Sequence, residues 1–333
     1  MSVDEIAKKH APLLVLHPNE KFYPFDVQEW FQNTEPIQTS KGIGRRVKPP
    51  LDASTIAPFS EKVPILYREA LYSTGELKTI TYFIFFANNG SKRIAGVAPT
   101  GGHTADLESV YIEFQKNGEI AFIGLSTHGD LHLYNVAPEV DVRTIVKQDK
   151  RYAGEIVDEK RKIEFIDGRP VVYAAINAHA LYGAPGSYMR FGGFGNDVAG
   201  EGPVVRLVAS HLDTAPEVKS WEHYLGEDGV GSYFSRNDAS GRPKHFDKAR
   251  PHFGVVPEWS TYFAYVGYAI LPLLLGLVLR KKKVWIPVLV SIFVFFSQFF
   301  LLKLFLRYFG RHVGIKPDIE PNWLYWFLPF RFF

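Results

Sequence analysis

"SVYIEFQKNGEIAFIGLS" (residues 109–126) decides the fold class of this chain. Its two ends, residues 109–114 and 120–126, are short and rich in β-branched and aromatic side chains, so they read as strands. Between them, "KNGE" (116–119) carries the Asn-Gly pair that suits a tight hairpin turn. Strand, turn and strand make an antiparallel pair, and further strands must cover its apolar faces.

The same grammar extends both ways. "KTITYFIFFAN" (78–88), "KIEFI" (162–166), "PVVYAAI" (170–176) and "PVVRLVA" (203–209) read as strands, and "DGRP" (167–170) as another turn. Helical periodicity is scarce, with "EVDVRTIVKQDKRYAGEIVDEKR" (139–161) the candidate for a helix. Many short strands without βα alternation predict a mainly β protein, with a β-sandwich domain over residues 1–215. Residues 216–258, rich in Gly, Ser, Asn and charge, read as an irregular linker.

Composition narrows the class. A length of 333 residues suggests two organisational units, and 46% hydrophobic content allows a sizeable core. A net charge of +3 is too balanced to imply a nucleic-acid partner. The absence of cysteine excludes disulfides and Cys-based zinc sites. The basic run "KGIGRRVK" (41–48) reads as a solvated loop. The first residues lack the pattern of a signal peptide.

The C-terminal quarter reads differently. Residues 259–279 and 284–302 carry no charge, and each is about long enough to cross a bilayer core. They predict a two-helix transmembrane hairpin, because backbone groups in lipid must be bonded within their own segment. Its anchors would be Trp259, Trp285 and the turn residues Arg280, Lys281, Lys282 and Lys283. Residues 303–333 would follow as an interfacial aromatic-basic tail. The expectation is an integral endomembrane protein with a lipid-bilayer partner and a cytosolic N-terminal domain.

The chemistry concentrates in "GGHTADLESVYIEF" (101–114). On a strand Asp106 and Glu108 point the same way, and two adjacent carboxylates repel unless a cation or proton lies between them. His103 would face away on a continuous strand, but a turn at Gly101 and Gly102 could bring it round. The string is therefore either a His-Asp-Glu cation cluster or a solvated strand start with a structural histidine. Oxygen-dominated ligands would favour calcium, magnesium or manganese over zinc. His128 and Asp197 are candidates for lining the same pocket, although each also reads as an ordinary turn residue. The Gly-rich loop "GGFGNDVAGEG" (192–202) lacks the ending of a phosphate loop.

Several of these segments carry a family resemblance. His103, Asp106 and Glu108 match the Gly-His-Arg-His-Asp-Trp-Glu string of the necrosis-inducing-protein superfamily. The order of "APLLVLHPNEKFYPFDVQEWF" (11–31), the His103 string, "STHG" (126–129), "PVVYAAINAHALY" (170–182) and the Gly-rich loop resembles the vacuolar protein sorting-associated protein 62 family. The resemblance covers about residues 10–210. It implies a β-sandwich with a divalent-cation site at His103, Asp106 and Glu108, and it adds His179 to the candidates for lining the same pocket. The string departs from the pattern at Ala105 and Leu107. A further acid of the site falls here at Asn88 or Asn89, so Asn89 could ligate only as an amide, and a site with less charge binds a hard cation more weakly.

Three functions follow as expectations. The first is a membrane-anchored binding or sorting module, without enzymatic activity, that recognises a protein, a lipid headgroup or a glycan. The second is a metal-dependent hydrolase with Asp106 or Glu108 as base and His179 assisting. The third is a structural subunit of a membrane-associated assembly with a vestigial site.

Overall fold

The computed structural model describes residues 1–40, 42–53, 55–94, 98–100, 102–127, 130–137, 140, 156–158, 163–189, 197–227 and 253–256, with single residues between 274 and 290. Its first elements are helix α1 (Val3–His10), strand β1 (Leu13–Val15), helix α2 (Val27–Asn33), and strands β2 (Thr34–Thr39), β3 (Gly42–Val47), β4 (Lys62–Leu71) and β5 (Leu77–Asn89). Then come β6 (Lys92–Ile94), β7 (Ala98–Thr100), β8 (His103–Phe114), β9 (Ile120–Thr127), β10 (Asp130–Asn135), β11 (Ile156–Asp158) and β12 (Phe165–Ile166). The last are β13 (Arg169–Ala174), β14 (Leu181–Tyr182), β15 (Gly186–Met189), β16 (Asp197–Ala199), β17 (Val204–His211), a short helix at Pro216–Ser220, and β18 (Phe253–Val256).

The chain divides into two compact units. The first comprises Met1–Lys92, Pro99–Pro185 and Val198–Arg250. It is built on an 11-stranded sheet in the order β11-β10-β9-β8-β5-β4-β17-β1-β13-β12, with β14 beside β13. In the second unit β15 pairs antiparallel with β18, Ser187 opposite Val256.

The mainly β class holds, but the two-sheet sandwich is corrected to one curled sheet. So many twisted strands curl or split rather than stay open, and β-bulges at Ala70/Leu71 and Glu113/Phe114 add bend. Curling brings the chain after β14 back to β9 and β10. The Thr127 hydroxyl donates to Leu181 O at 3.1 Å, and Gly183 N–H donates to the Tyr134 hydroxyl at 3.0 Å.

Strand alternation sorts the core onto two faces. Ile80, Tyr82, Ile84 and Phe86 of β5, with Val110 and Ile112 of β8, pack inside the curl. Helix α1 closes that space with Ala7, whose carbonyl accepts from the Tyr82 hydroxyl at 2.8 Å. A capping box starts this helix: Ser2 Oγ accepts from Glu5 N–H, and the Glu5 carboxylate accepts from Ser2 N–H. On the other face Phe83, Phe85, Ala105 and Leu107 pack under Trp30, Phe31, Val218 and Leu225.

The described part of the basic run, residues 42–48, is not a solvated loop. It forms β3, and Arg45 is buried, with its guanidinium 4.1 Å from the Phe31 ring centroid and 4.8 Å from that of Trp221. The charge is tolerated because it donates to Phe31 O, Thr34 O and Thr34 Oγ1.

The expectation of an integral membrane protein is also corrected. Among the described residues no helix is long and apolar enough to cross a membrane, and α1, with 8 residues, is the longest described. Apart from residues 274, 277, 286, 289 and 290, the two expected spans lie outside the described residues, as do all their anchors Trp259, Trp285, Arg280, Lys281, Lys282 and Lys283.

Candidate functional site

Strand β8 enters beside β5 with Asn89 opposite His103, Phe86 opposite Asp106 and Ile84 opposite Glu108. Because Ile84 and Phe86 face into the curl, Asp106 and Glu108 share that inner face. The same-face geometry read from the sequence is therefore present, but both carboxylates are buried: Asp106 is 9% exposed and Glu108 6%.

Each has a protein partner. Asp106 Oδ2 lies 3.1 Å from His179 Nδ1. Since a carboxylate accepts, Nδ1–H is the donor in that contact. The Ser126 hydroxyl bonds Glu108 Oε2, while Ser126 Oγ accepts from Ser109 N–H at 2.8 Å. His179 is fully buried, and its ring stacks parallel on Phe86 with centroids 3.7 Å apart. Its other nitrogen, Nε2, has no hydrogen-bond partner among the described residues and lies 3.9 Å from Glu20 Oε2.

Glu20 completes the cluster, and sequence reading missed it. Its Oε1 accepts from the backbone N–H of Lys21 and Phe22, and its Oε2 from Asn177 N–H at 2.7 Å. One buried carboxylate thus ties the segment after β1 to the connection between β13 and β14. That connection is tight: Ala175 N–H bonds Ala180 O, His179 N–H bonds Ala175 O, and both Asn177 and His179 have positive φ. The sequence signal was the Pro-Asn-Glu turn at 18–20, where a short-range carboxylate can bond its own backbone.

His103 is not brought to the carboxylates. Its Nε2 meets Asn89 Nδ2 at 3.0 Å, and its Nδ1 meets Thr104 O at 3.2 Å. Ala105 takes the left-handed conformation at φ 57 in mid-strand, and Gly101 of the expected turn lies outside the described residues. The geometry does not gather His103, Asp106, Glu108 and Asn89 into one ligand set. Asn89 and His103 satisfy each other, Asp106 serves His179, and Glu108 serves Ser126. Among the described residues no group of three or more His, Cys, Asp or Glu could hold a metal ion. His128 lies outside the described residues, and Asp197 is a buried residue opening β16 in the second unit.

No family model matches the sequence. Among curated proteins it is similar to vacuolar protein sorting-associated protein 62 of Saccharomyces cerevisiae, 21% identical over a 229-residue alignment, with 56% of this chain and 47% of that protein covered. The chain therefore spans about half the length of this relative. Similar solved structures include Necrosis and Ethylene inducing Protein 2 from the causal agent of cocoa's Witches Broom disease, with 15% identity over 64% of this chain and 74% of that one, at a TM-score of 0.33. They also include NLPPya in complex with glucosamine, with 14% identity over 66% and 79% of the two chains, at a TM-score of 0.33. The resemblance to vacuolar protein sorting-associated protein 62 drawn from the sequence is thus found among the curated proteins.

Proposed function

We propose that this chain is a β-rich binding module with a sorting role, in which the Glu20–His179–Asp106 cluster fastens the recognition loops and is not a reaction centre. The observation that supports this reading is the burial of His179: a side chain with no exposed surface cannot meet a substrate, so the hydrolase reading loses its assisting histidine. The sorting part is taken from the name of the yeast relative and extends to this chain as a proposal only.

The cluster holds a rim of polar and aromatic side chains in place. His17, Asn19, Lys21 and Tyr23 are exposed or half-buried on the loop that Glu20 ties down. An amide, an ammonium, an imidazole and a phenol on a loop fixed in advance suit a glycan, because a preordered loop loses less entropy on binding. The test is equilibrium binding of the full chain to a panel of neutral and amino-sugar glycans, including glucosamine- and mannosamine-terminated ones. Saturable binding to a subset, weakened in Glu20→Gln, is the expected result. Absence of binding across the panel, or turnover of a bound glycan, would defeat the reading.

A further inference from the structure

The sheet has a gap on its basic side. Strand β1 begins at Leu13, which lies between Arg206 of β17 and Val171 of β13. Beyond that residue β17 runs on to His211 with no β1 neighbour. Arg169 occupies the breach: its Nη1 donates to Ala11 O at 2.9 Å and to Leu207 O at 3.3 Å, and its Nη2 to Lys8 O at 3.0 Å. A concavity of about 390 Å³ opens there, lined by Lys8, Lys62, Arg169 and Arg206 and by Leu207 to Ala209, of which only Val208 exposes its side chain.

The charge in this hollow is unbalanced. Lys62 stands opposite Arg206 in the β4–β17 register. Arg169 gives its hydrogen bonds to carbonyls, and the nearby Asp167 carboxylate offsets its charge only in part, behind the opposing effects of burial and Arg206. Only Lys8 has an ion pair, to Asp4 at 2.6 Å. Among the described residues Lys62, Arg169 and Arg206 form none. Like charges gathered around one cavity repel and favour an anion between them. Burial, and after it the neighbouring Arg206 charge, hold the Arg169 guanidinium below its usual range.

We propose that this concavity binds a phosphomonoester. A phosphate monoester carries close to two negative charges near neutral pH and offers three acceptor oxygens. Arginine and lysine side chains recognise such a group through charge-assisted hydrogen bonds. Arg169 is fixed by three carbonyls and presents a preorganised charge. The exposed Val208 side chain offers an apolar contact to the carbon part of the ligand, and the volume falls within the range of small-molecule sites. Lys62 and Arg206 are exposed and act as mobile clamps at the mouth.

The test is isothermal titration of the full chain with glucose 6-phosphate, inorganic phosphate and glucose, in buffers matched in ionic strength with sodium chloride. One-site binding is expected for both phosphate species, tighter for the ester, with none for glucose. The double variant Lys62→Gln, Arg206→Gln is expected to bind about tenfold or more weakly, as for lost hydrogen bonds to a charged group. Equal heats in the chloride control, or unchanged binding by the double variant, would overturn the site. Equal affinity for inorganic phosphate and the ester would overturn the ester and leave only a phosphate site. If the double variant does not fold, amide shifts of the wild-type chain decide: changes centred on Arg169 and Arg206 to Ala209 support the proposal, and changes elsewhere refute it.

Discussion

His179 has no exposed surface, yet it is a polar ring held on one side by Asp106 and on a face by Phe86. Removing one partner of a buried charged contact leaves the other unsatisfied, which costs about 3 kcal/mol or more. His179→Gln is therefore expected to lower unfolding stability by about that amount in urea denaturation, with little change in far-ultraviolet circular dichroism. Arg45 makes a second residue-scale case. Its planar fork serves Phe31 O, Thr34 O and Thr34 Oγ1 while its face lies against Phe31 and Trp221. Lysine keeps the charge but neither the fork nor the stack, so Arg45→Lys is expected to cost about 2 kcal/mol by the same measurement. The sequence could pick out His179 and Asp106 as residue types in suggestive strings. It could place them in one pocket but not show their hydrogen bond, because 73 residues separate them and the contact depends on how the sheet curls. Glu20 was illegible for the same reason: its local turn could be read, but its long-range bond to Asn177 could not.

At the scale of elements, the C-terminal end of α1 is fastened to the β12–β13 turn through His10, whose Nδ1–H donates to Gly168 O at 2.7 Å. Burial lowers the His10 pKa from 6.5, only partly opposed by that hydrogen bond. In the folded chain His10 therefore takes up its proton at lower pH than in the unfolded chain. Its contribution to stability is complete above about pH 6.5 and is lost as pH falls through the lowered folded value. His10→Gln is expected to flatten the melting-temperature profile below pH 6.5 relative to wild type; an unchanged slope would remove His10 as its source. Elements with strong local signals were legible: the "KNGE" hairpin joins β8 to β9, and "DGRP" joins β12 to β13 with Asp167 and Gly168 at positive φ. Strand β3 was misread because a basic run resembles a solvated loop until Phe31 and Trp221 come to cover Arg45. Ala105 was illegible as well, since nothing in an alanine announces a left-handed residue in mid-strand.

On the scale of the whole molecule, strand content could be read from alternation, but closure could not. A sandwich and a curled sheet share the same alternating pattern, and what separates them is twist, bulges and the return of β14 to β9. The candidate site follows from that closure, because curling carries the β13–β14 connection onto Asp106. The central claim is that Asp106 and His179 act as one structural pair. It is tested most directly by a double-mutant cycle of Asp106→Asn and His179→Gln, read by urea denaturation of the full chain. The account predicts coupling of about 1–3 kcal/mol, with the double variant markedly less destabilised than the sum of the two single ones. Additive losses would mean that the two side chains act independently, and would contradict it.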